Sequence, residues 1–593
     1  MKTLRDLFEH VVQSKTPDRV LLRARAGRDW RTLTVRQFEE ATRSTAARLA
    51  QAGVRTGDRV AVFSENRPEW HVVDFACHLL GAVLVPLYPN LPASHVRHIL
   101  TDSSAKVLVV SGKDRARAAV EATRNLPDVR VAGLDRDLAD GIGYLFDLPL
   151  PPGGTFASPP LSETDMASIV YTSGTTGEPK GVMLSHRNFA FEITAIRPLF
   201  PISDKDEVMS FLPLAHIAER MVDYIFFYCG CFVTYLEAPE RVVDLITKVR
   251  PTIMVSFPRL YERAYVRILS RVQHEGGLKA KLFGWALRAG RRAREAVWQG
   301  RRPSLLAVPP YALARRLVFH RILQGLGGRL RFTVSGAAPL AHEIAEFFDI
   351  IGLPLLNGYG LTECPVISVG RLEANRIGSV GLPVPGIEVR IAPDGEILTR
   401  GPHVMPGYWN KPKDTKEAID AEGWFHTGDI GQFDAEGHLF ITDRKKNLIA
   451  TAGGKKVAPE PIEAELRGHA YVAQAVLIGD NLPYITALIV PNFENLEAYF
   501  AERGLNGLKR EEMAPHPLTE ALVAAAVKET NAGLAQFERI RRFAVLPREF
   551  SMEDGEITPT LKVRRRVVTE RFKNEIEQMY LKTHRTSEYG LDE

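Results

Sequence analysis

The sequence predicts an α/β protein with a large N-terminal unit and a smaller C-terminal one, on three observations. Apolar runs at residues 59–63, 82–85 and 106–110 show no polar alternation and are separated by stretches of helical spacing such as 69–80. Strands of that kind are buried on both faces, which implies a largely parallel sheet covered by helices. The length, 593 residues, exceeds what one compact domain holds. From about 375 to 442 the pattern changes to short strands and tight turns, as in 386–391, Pro393-Asp394-Gly395 and 396–400, which reads as a hairpin-built β unit.

The N-terminus, MKTLRDLFEHVVQ, has the spacing of an amphipathic helix and lacks the features of a signal peptide. Residues 148–160, rich in Pro and Gly, read as a connector. The longest apolar stretch, 224–236, is too short to span a bilayer, so any membrane contact is expected to be peripheral. Cys229 and Cys231 lie in that stretch without nearby histidines. With Cys77 and Cys364 they read as buried thiols of a reducing cytoplasm, not as a zinc site.

A net charge of +5 on this length argues neither for nor against a polyanionic partner. The charge is unevenly spread, however. Residues 259–331 carry 17 Lys and Arg against Glu262, Glu275 and Glu295, so the remainder of the chain sums to about −9. Leu282, Phe283, Trp285, Ala286 and Leu287 are interleaved with this charge, and 311–326 repeats the theme. Two readings stand: basic helices on an anionic membrane surface, or an apolar stripe packed on the core beneath a solvated basic face. No nucleic-acid reader module accompanies the charge, so nucleic acid is not an expected partner.

Residues 170–188 read VYTSGTTGEPKGVMLSHRN. Residues 169–171 end a buried strand. Thr172, Ser173, Gly174, Thr175, Thr176 and Gly177 then follow with no bulky side chain, which leaves backbone N–H groups and hydroxyls able to wrap an anion. Lys180 adds a positive charge, and Ser185 is a helix N-cap candidate. This is not a Walker A loop, because Glu178 and Pro179 separate Gly177 from the lysine. The plainer reading is a polar surface loop between a strand and a helix.

Further along, 332–335 is a strand running into Gly336-Ala337-Ala338-Pro339. Residues 354–356 run into Asn357-Gly358-Tyr359-Gly360-Leu361-Thr362-Glu363. Strands that end in such loops are where open α/β sheets bind ligands. His216, in SFLPLAHIAER, reads by itself as a core histidine. Residues 443–447, DRKKN, form a charged break. Beyond it come strands at 475–478 and 485–490, a helix at 518–534 and a frayed polar end.

The phosphate loop, NGYGLTE, WFHTGDIG, DRKKN and TPTLK stand in the order found in the adenylate-forming superfamily of acyl-CoA synthetases, adenylation domains and luciferases, which the chain resembles from 171 to 562. LPLAHIAER, the basic insertion before SGAAP, DRKKNLI-x-TAGGK and TPTLKVRRR are most similar to bacterial long-chain acyl-CoA synthetases. The resemblance implies a fold of two αβ-layered sheets plus a distorted β-barrel in residues 1–442, a hinge at 443–447 and a mobile α/β domain at 448–593. It implies ATP, magnesium and CoA, with a fatty acid as substrate.

Residue by residue, the resemblance implies the following. Tyr359 faces adenine, with Gly336, Ala337, Gly358 and Gly360 beside it. Thr362 meets the α-phosphate, Glu363 and Thr172 hold magnesium, and Asp429 and Arg444 hold the ribose. Lys180 and Lys562 are catalytic, His216 and Arg220 line the acyl pocket, and Lys446 is the pivot. Gly453, Gly454 and Lys455 shape the CoA side. One departure is Ala450, where some relatives carry a lysine used in the second half-reaction. An acyl-AMP ligase loading a carrier protein, or a CoA ligase for another hydrophobic acid, is the competing reading. A homodimer is compatible with the resemblance, and the expected place is the cytoplasm, with contact at the inner face of the membrane as an option.

Overall fold

Two large sheets stand face to face with helices between them and outside them. The structure, a computed structural model, describes every residue except 28, 173–178, 299–300, 302–303, 446, 454, 553, 559–562 and 582–593. Among the described residues one sheet runs, edge to edge, through strands 407–408, 180–185, 166–172, 83–87, 59–63, 105–110, 130–133 and 143–144. The other runs through 382–383, 364–369, 355–361, 332–336, 253–256, 207–210, 232–235, 20–26 and 29–34. Both are parallel in the middle and antiparallel at an edge.

The unalternating apolar strands follow from this stacking. Val60 and Val62 face inward onto a core shared with Val208, Val233 and Leu356 of the other sheet. Their neighbours Ala61 and Phe63 face outward onto the helices Ala93–Ser103 and Lys113–Thr123. Met209, Met254 and Leu355 likewise face an outer helical layer. Each strand therefore needs apolar residues at every position.

The helices Leu4–Gln13, Pro68–Leu80, His186–Ile196 and Ile217–Cys229 contribute to the inner core. Every residue of Pro68–Leu80 is buried, so its polar residues must find partners inside. His71 sets Nδ1 3.1 Å from Asp74 and Nε2 3.1 Å from Asp223. Tyr224 donates to Asp74 at 2.7 Å, and His78 Nε2 lies 3.0 Å from the same carboxylate. Burial alone would lower the His71 pKa, but Asp223 and Asp74 outweigh it and raise it. Burial would raise the Asp74 carboxyl; His78, Arg220 and His71 instead hold it below its ordinary range.

Arg220 belongs to this layer. It is fully buried, donates to Ser168 Oγ at 3.0 Å and to the Tyr224 hydroxyl at 3.1 Å, and lies over the rings of Phe189, Tyr224 and Trp70.

The hairpin unit is a four-stranded antiparallel half-barrel of strands 388–391, 396–400, 425–433 and 439–444. Its last strand runs on to Arg444, past the break expected at 443, because Asp443 and Arg444 pair with Ile430 and Asp429. The C-terminal unit holds strands 472–478, 485–491 and 540–545 with helices Pro459–Gly468 and Pro517–Asn531. All four cysteines are buried and unbridged.

In the basic insertion, Phe283, Ala286, Ala289, Gly290 and Ala293 of the helix Gly277–Trp298 are buried. Phe283, Ala286 and Ala289 join a core cluster with Phe347, Phe348 and Ile350. A Cβ on Gly290 would stand 2.6 Å from Ile350 Cγ2, so the helix is pressed close. Arg294 grips Asp349 with two bonds, at 2.7 and 2.8 Å, and Arg291 pairs with Glu346 at 2.5 Å. This stripe thus packs on the core, as the second of the two readings expects. No helix among the described residues is long and apolar enough to cross a membrane.

Candidate active site

Strands from both sheets open, at their C-terminal ends, onto one cavity of about 2380 Å³. Residues just past strands 83–87, 166–172, 207–210, 253–256, 332–336 and 355–361 all line it, the place where parallel sheets bind ligands.

One lobe is apolar. Ala218, Met221, Val222, Ile225 and Phe226 present one stripe of the helix Ile217–Cys229, and Ile202, Phe200 and Phe332 lie on the same lobe. Phe200 and Phe332 stack at 5.7 Å. The stripe is about 12 Å long at helical rise. His216 lines the cavity as N-cap of this helix, its Nδ1 accepting from Ala218 N–H at 3.1 Å and its ring 5.3 Å from Phe257. Arg220, expected here, is not among the lining residues. At its helical position it faces the aromatic rings of the inner layer instead.

The other lobe is polar. NGYGLTE, expected as a loop, is mostly strand: Leu355–Leu361 turns at Thr362 and Glu363 and returns as Cys364–Val369. Gly360 permits this close return, since a Cβ there would lie 1.9 Å from Pro365 O. Gly358 sits opposite Gly336 in the neighbouring strand, and Ala337 follows at φ +66°. A non-glycine residue in that left-handed region at the cavity edge is strained.

Tyr359 donates its hydroxyl to Asp429 Oδ2 at 2.7 Å, and Arg444 Nε lies 3.0 Å from Asp429 Oδ1. Burial and then the Asp429 charge raise the Tyr359 pKa, so it stays a donor. Glu363 Oε1 accepts from the Tyr408 hydroxyl at 2.8 Å. Lys180 is ion-paired with Asp414 and stands 5.2 Å from the Tyr408 ring.

Thr172, Lys180, Gly336, Ala337, Gly358, Tyr359, Gly360, Thr362, Glu363, Asp429 and Arg444 all line this one cavity. Ser173, Gly174, Thr175, Thr176 and Gly177, with Lys446, Gly454 and Lys562, lie outside the described residues. The strand before the phosphate loop, 166–172, pairs antiparallel with the strand after it, 180–185. Residues 173–178 therefore stand in the sequence between two paired strands. Ser185 caps the helix His186–Ile196 through a capping box with Asn188. Thr558 and Val563, on either side of Lys562, line the cavity, whereas Gly453 and Lys455 do not. Tyr408 and Asp414 were not foreseen. The only sequence signal for them is the dense PGYWNKPKD run, whose partners are remote.

A magnesium ion bound with a nucleotide keeps several waters and takes few protein oxygens. The Glu363 carboxylate and the Thr172 hydroxyl, both on this cavity, are a donor set of that kind.

The model of the AMP-binding enzyme family matches residues 8–409, and that of the AMP-binding enzyme C-terminal domain matches 446–584. The chain is 37% identical over 584 residues to long-chain-fatty-acid–CoA ligase FadD15 of Mycobacterium bovis, covering 97% of this chain and 96% of that protein. It is 33% identical to peroxisomal long chain acyl-CoA synthetase 6 of Arabidopsis thaliana, covering 98% of this chain and 86% of that one. The adenylation domain of a carboxylate reductase from Mycobacterium chelonae shares the fold at a TM-score of 0.78 and 22% identity, covering 98% of this chain and 91% of that one. ATP-bound MatB from Rhodopseudomonas palustris does so at 0.70 and 23%, covering 96% and 99%.

Proposed function

The chain belongs to the AMP-binding enzyme family, and on that premise we propose that it is a long-chain fatty-acid–CoA ligase. It joins a fatty acid to AMP with release of pyrophosphate, then passes the acyl group to CoA. The observation that carries this reading is a single cavity with both apolar and polar walls. Apolar residues of the helix Ile217–Cys229 and the polar residues Gly336-Ala337 and Tyr359–Glu363 line one and the same cavity, so an acyl chain against the former can bring its carboxylate to the latter.

In the polar lobe, Tyr359 offers adenine a flat face whose hydroxyl is already bound by Asp429. Asp429, oriented by Arg444, accepts from the ribose hydroxyls. Thr362 and Lys562 meet the oxygens of the α-phosphate where charge builds as the carboxylate attacks. Lys180 and the loop N–H groups hold the pyrophosphate end. Magnesium, when bound at Glu363 and Thr172, supplies further neutralisation of that charge.

After pyrophosphate leaves, rotation of the C-terminal unit about Lys446 withdraws Lys562 and brings residues 451–456 to the cavity for CoA. Support for the first of these two states is that Thr558 and Val563 line the cavity while Gly453 and Lys455 stand off it.

An AMP-release assay across saturated fatty acids of increasing length, with CoA or a carrier protein as acceptor, tests the reading. Each methylene buried in the apolar lobe is worth about 0.8 kcal/mol, so kcat/KM rises about fourfold per carbon until the lobe is full. Turnover with a carrier protein and none with CoA would overturn the ligase assignment.

The basic insertion also makes peripheral contact with an anionic membrane. Beyond its buried stripe it exposes Leu305 at 89% and Leu306 at 87%, with Leu313 and Leu317 one helical turn apart and Arg316 and Arg321 exposed beside them. Long basic side chains around exposed leucines suit a lipid interface. Replacing Leu305 and Leu306 together by Ser weakens binding to anionic vesicles about tenfold or more, and added salt weakens the wild type. Binding that is indifferent to both changes returns the insertion to a purely structural part.

A further inference from the structure

Lys180 and Asp414 stand far apart in the chain and meet at the cavity wall. Strand 407–408 pairs with residues 182–183 just after the phosphate loop, and Trp409 N–H donates to Gly181 O at 2.7 Å. Tyr408 N–H donates to Thr415 Oγ1 at 2.9 Å, which ties that strand to the helix Pro412–Ala418. A Cβ on Gly407 would stand 2.7 Å from Thr415, so the helix is seated tightly. Asp414 lies in the first turn of this helix with its carboxylate on the Lys180 ammonium. That contact holds the Asp414 carboxyl below its ordinary range. The two side chains keep 39% and 32% exposure, so the pair is open to exchange of partners.

We propose that Asp414 is the carboxylate that takes Lys180 back from pyrophosphate, and that it thereby sets how fast this product leaves. The inference rests on the ligase reading above. A lysine ammonium is a compact point charge on a flexible stem. One such charge cannot fully neutralise a pyrophosphate oxygen and a carboxylate together. With no rival, a polyanion gripped by Lys180 would leave slowly, and release often limits such enzymes. Asp414 is a tethered rival, always within reach, whose effective concentration no free anion matches. The same segment touches the other charged group of the polar lobe through the Tyr408–Glu363 hydrogen bond. The strand next to the helix that carries Asp414 thus touches Glu363, and the helix itself touches Lys180.

Asp414→Asn keeps the shape and removes the rival charge. By calorimetry with magnesium pyrophosphate, the variant binds about fivefold tighter than wild type, the scale of a half-exposed ion pair. In steady state KM for ATP falls and kcat falls, while single-turnover formation of acyl-AMP is undiminished. Asp414→Glu restores wild-type pyrophosphate affinity. Glu417, on the same helix and cavity, serves as the charge control. Glu417→Gln removes an equal charge away from the Lys180 pair and leaves pyrophosphate affinity close to wild type. Pyrophosphate affinity that is unchanged or weaker in Asp414→Asn overturns the proposal, as does an equal gain in Glu417→Gln. Calorimetry needs no turnover, so a protein inactive on every fatty acid would sink the ligase reading and leave this test intact.

Discussion

Lys562→Ala is expected to cut acyl-AMP formation by about a thousandfold, the scale of removing one preorganised group aimed at developing charge. Thioester formation from preformed acyl-AMP and CoA should stay within a few-fold of wild type. The residues flanking Lys562, Thr558 and Val563, line the same cavity as Thr362 and Asp429 although they belong to the C-terminal unit. A lysine delivered there meets a pentavalent phosphorus, whose oxygens carry more charge than those of either ground state. In the second half-reaction the charge develops on the thioester carbonyl, and a lysine aimed at the phosphate has no part in it. ATP–pyrophosphate exchange reports the first step, and thioester yield from synthetic acyl-AMP reports the second. Equal loss in both would show that Lys562 supports the fold or both steps alike, and domain alternation would lose its main argument.

Asp429→Ala should behave in the opposite way, lowering both half-reactions together by about a hundredfold or more. Asp429 is 2% exposed and each oxygen has a partner: Tyr359 on Oδ2 and Arg444 on Oδ1. Truncation strips the Tyr359 hydroxyl of its acceptor, a cost of about 1–3 kcal/mol for a buried polar group. It also frees the Arg444 side chain and leaves the ribose without an anchor. AMP is present in both half-reactions, so both suffer. Asp429→Asn should recover part of the thermal stability through the Tyr359 bond, and little of the activity, because the charge facing Arg444 is gone. AMP binding by calorimetry checks the cause. A variant that binds AMP as well as wild type would remove Asp429 from the ribose site.

The parts of this architecture that were readable in advance are those with a local cause. Residues 59–63 and 106–110 look like doubly buried strands because side chains are forced apolar on both faces. Ser185 reads as a helix N-cap from its own neighbours, and it caps His186–Ile196 with Asn188. The parts that were not readable have remote causes. Tyr408 and Asp414 look like an ordinary turn until strand 407–408 joins the edge of a sheet begun more than 200 residues earlier. Arg220 was expected at the acyl pocket on resemblance, yet beyond Tyr224 of its own helix its surroundings come from Trp70 and Phe189 on two other helices, and no local pattern reveals that layer. Strand 540–545 escaped notice because Arg541 and Arg542 interrupt its apolar run, although it pairs in parallel with 485–489 around a register shift at Arg541. In the insertion both readings were open because one helix can bury one apolar stripe and expose other leucines, which only the packing separates.

Asp429 and Arg444 are register neighbours on adjacent strands, and residue 446 is two positions further along. On the reading proposed above, with the ribose at Asp429 and Arg444 and the pivot at Lys446, the sugar is held next in the chain to the axle, where a turning body moves least. A C-terminal unit turning on that pivot would swing through a large arc while the adenylate stays seated, as a hub stays still under a turning wheel. A reactive mixed anhydride held in this way is handed from one chemistry to the next without being set down in water.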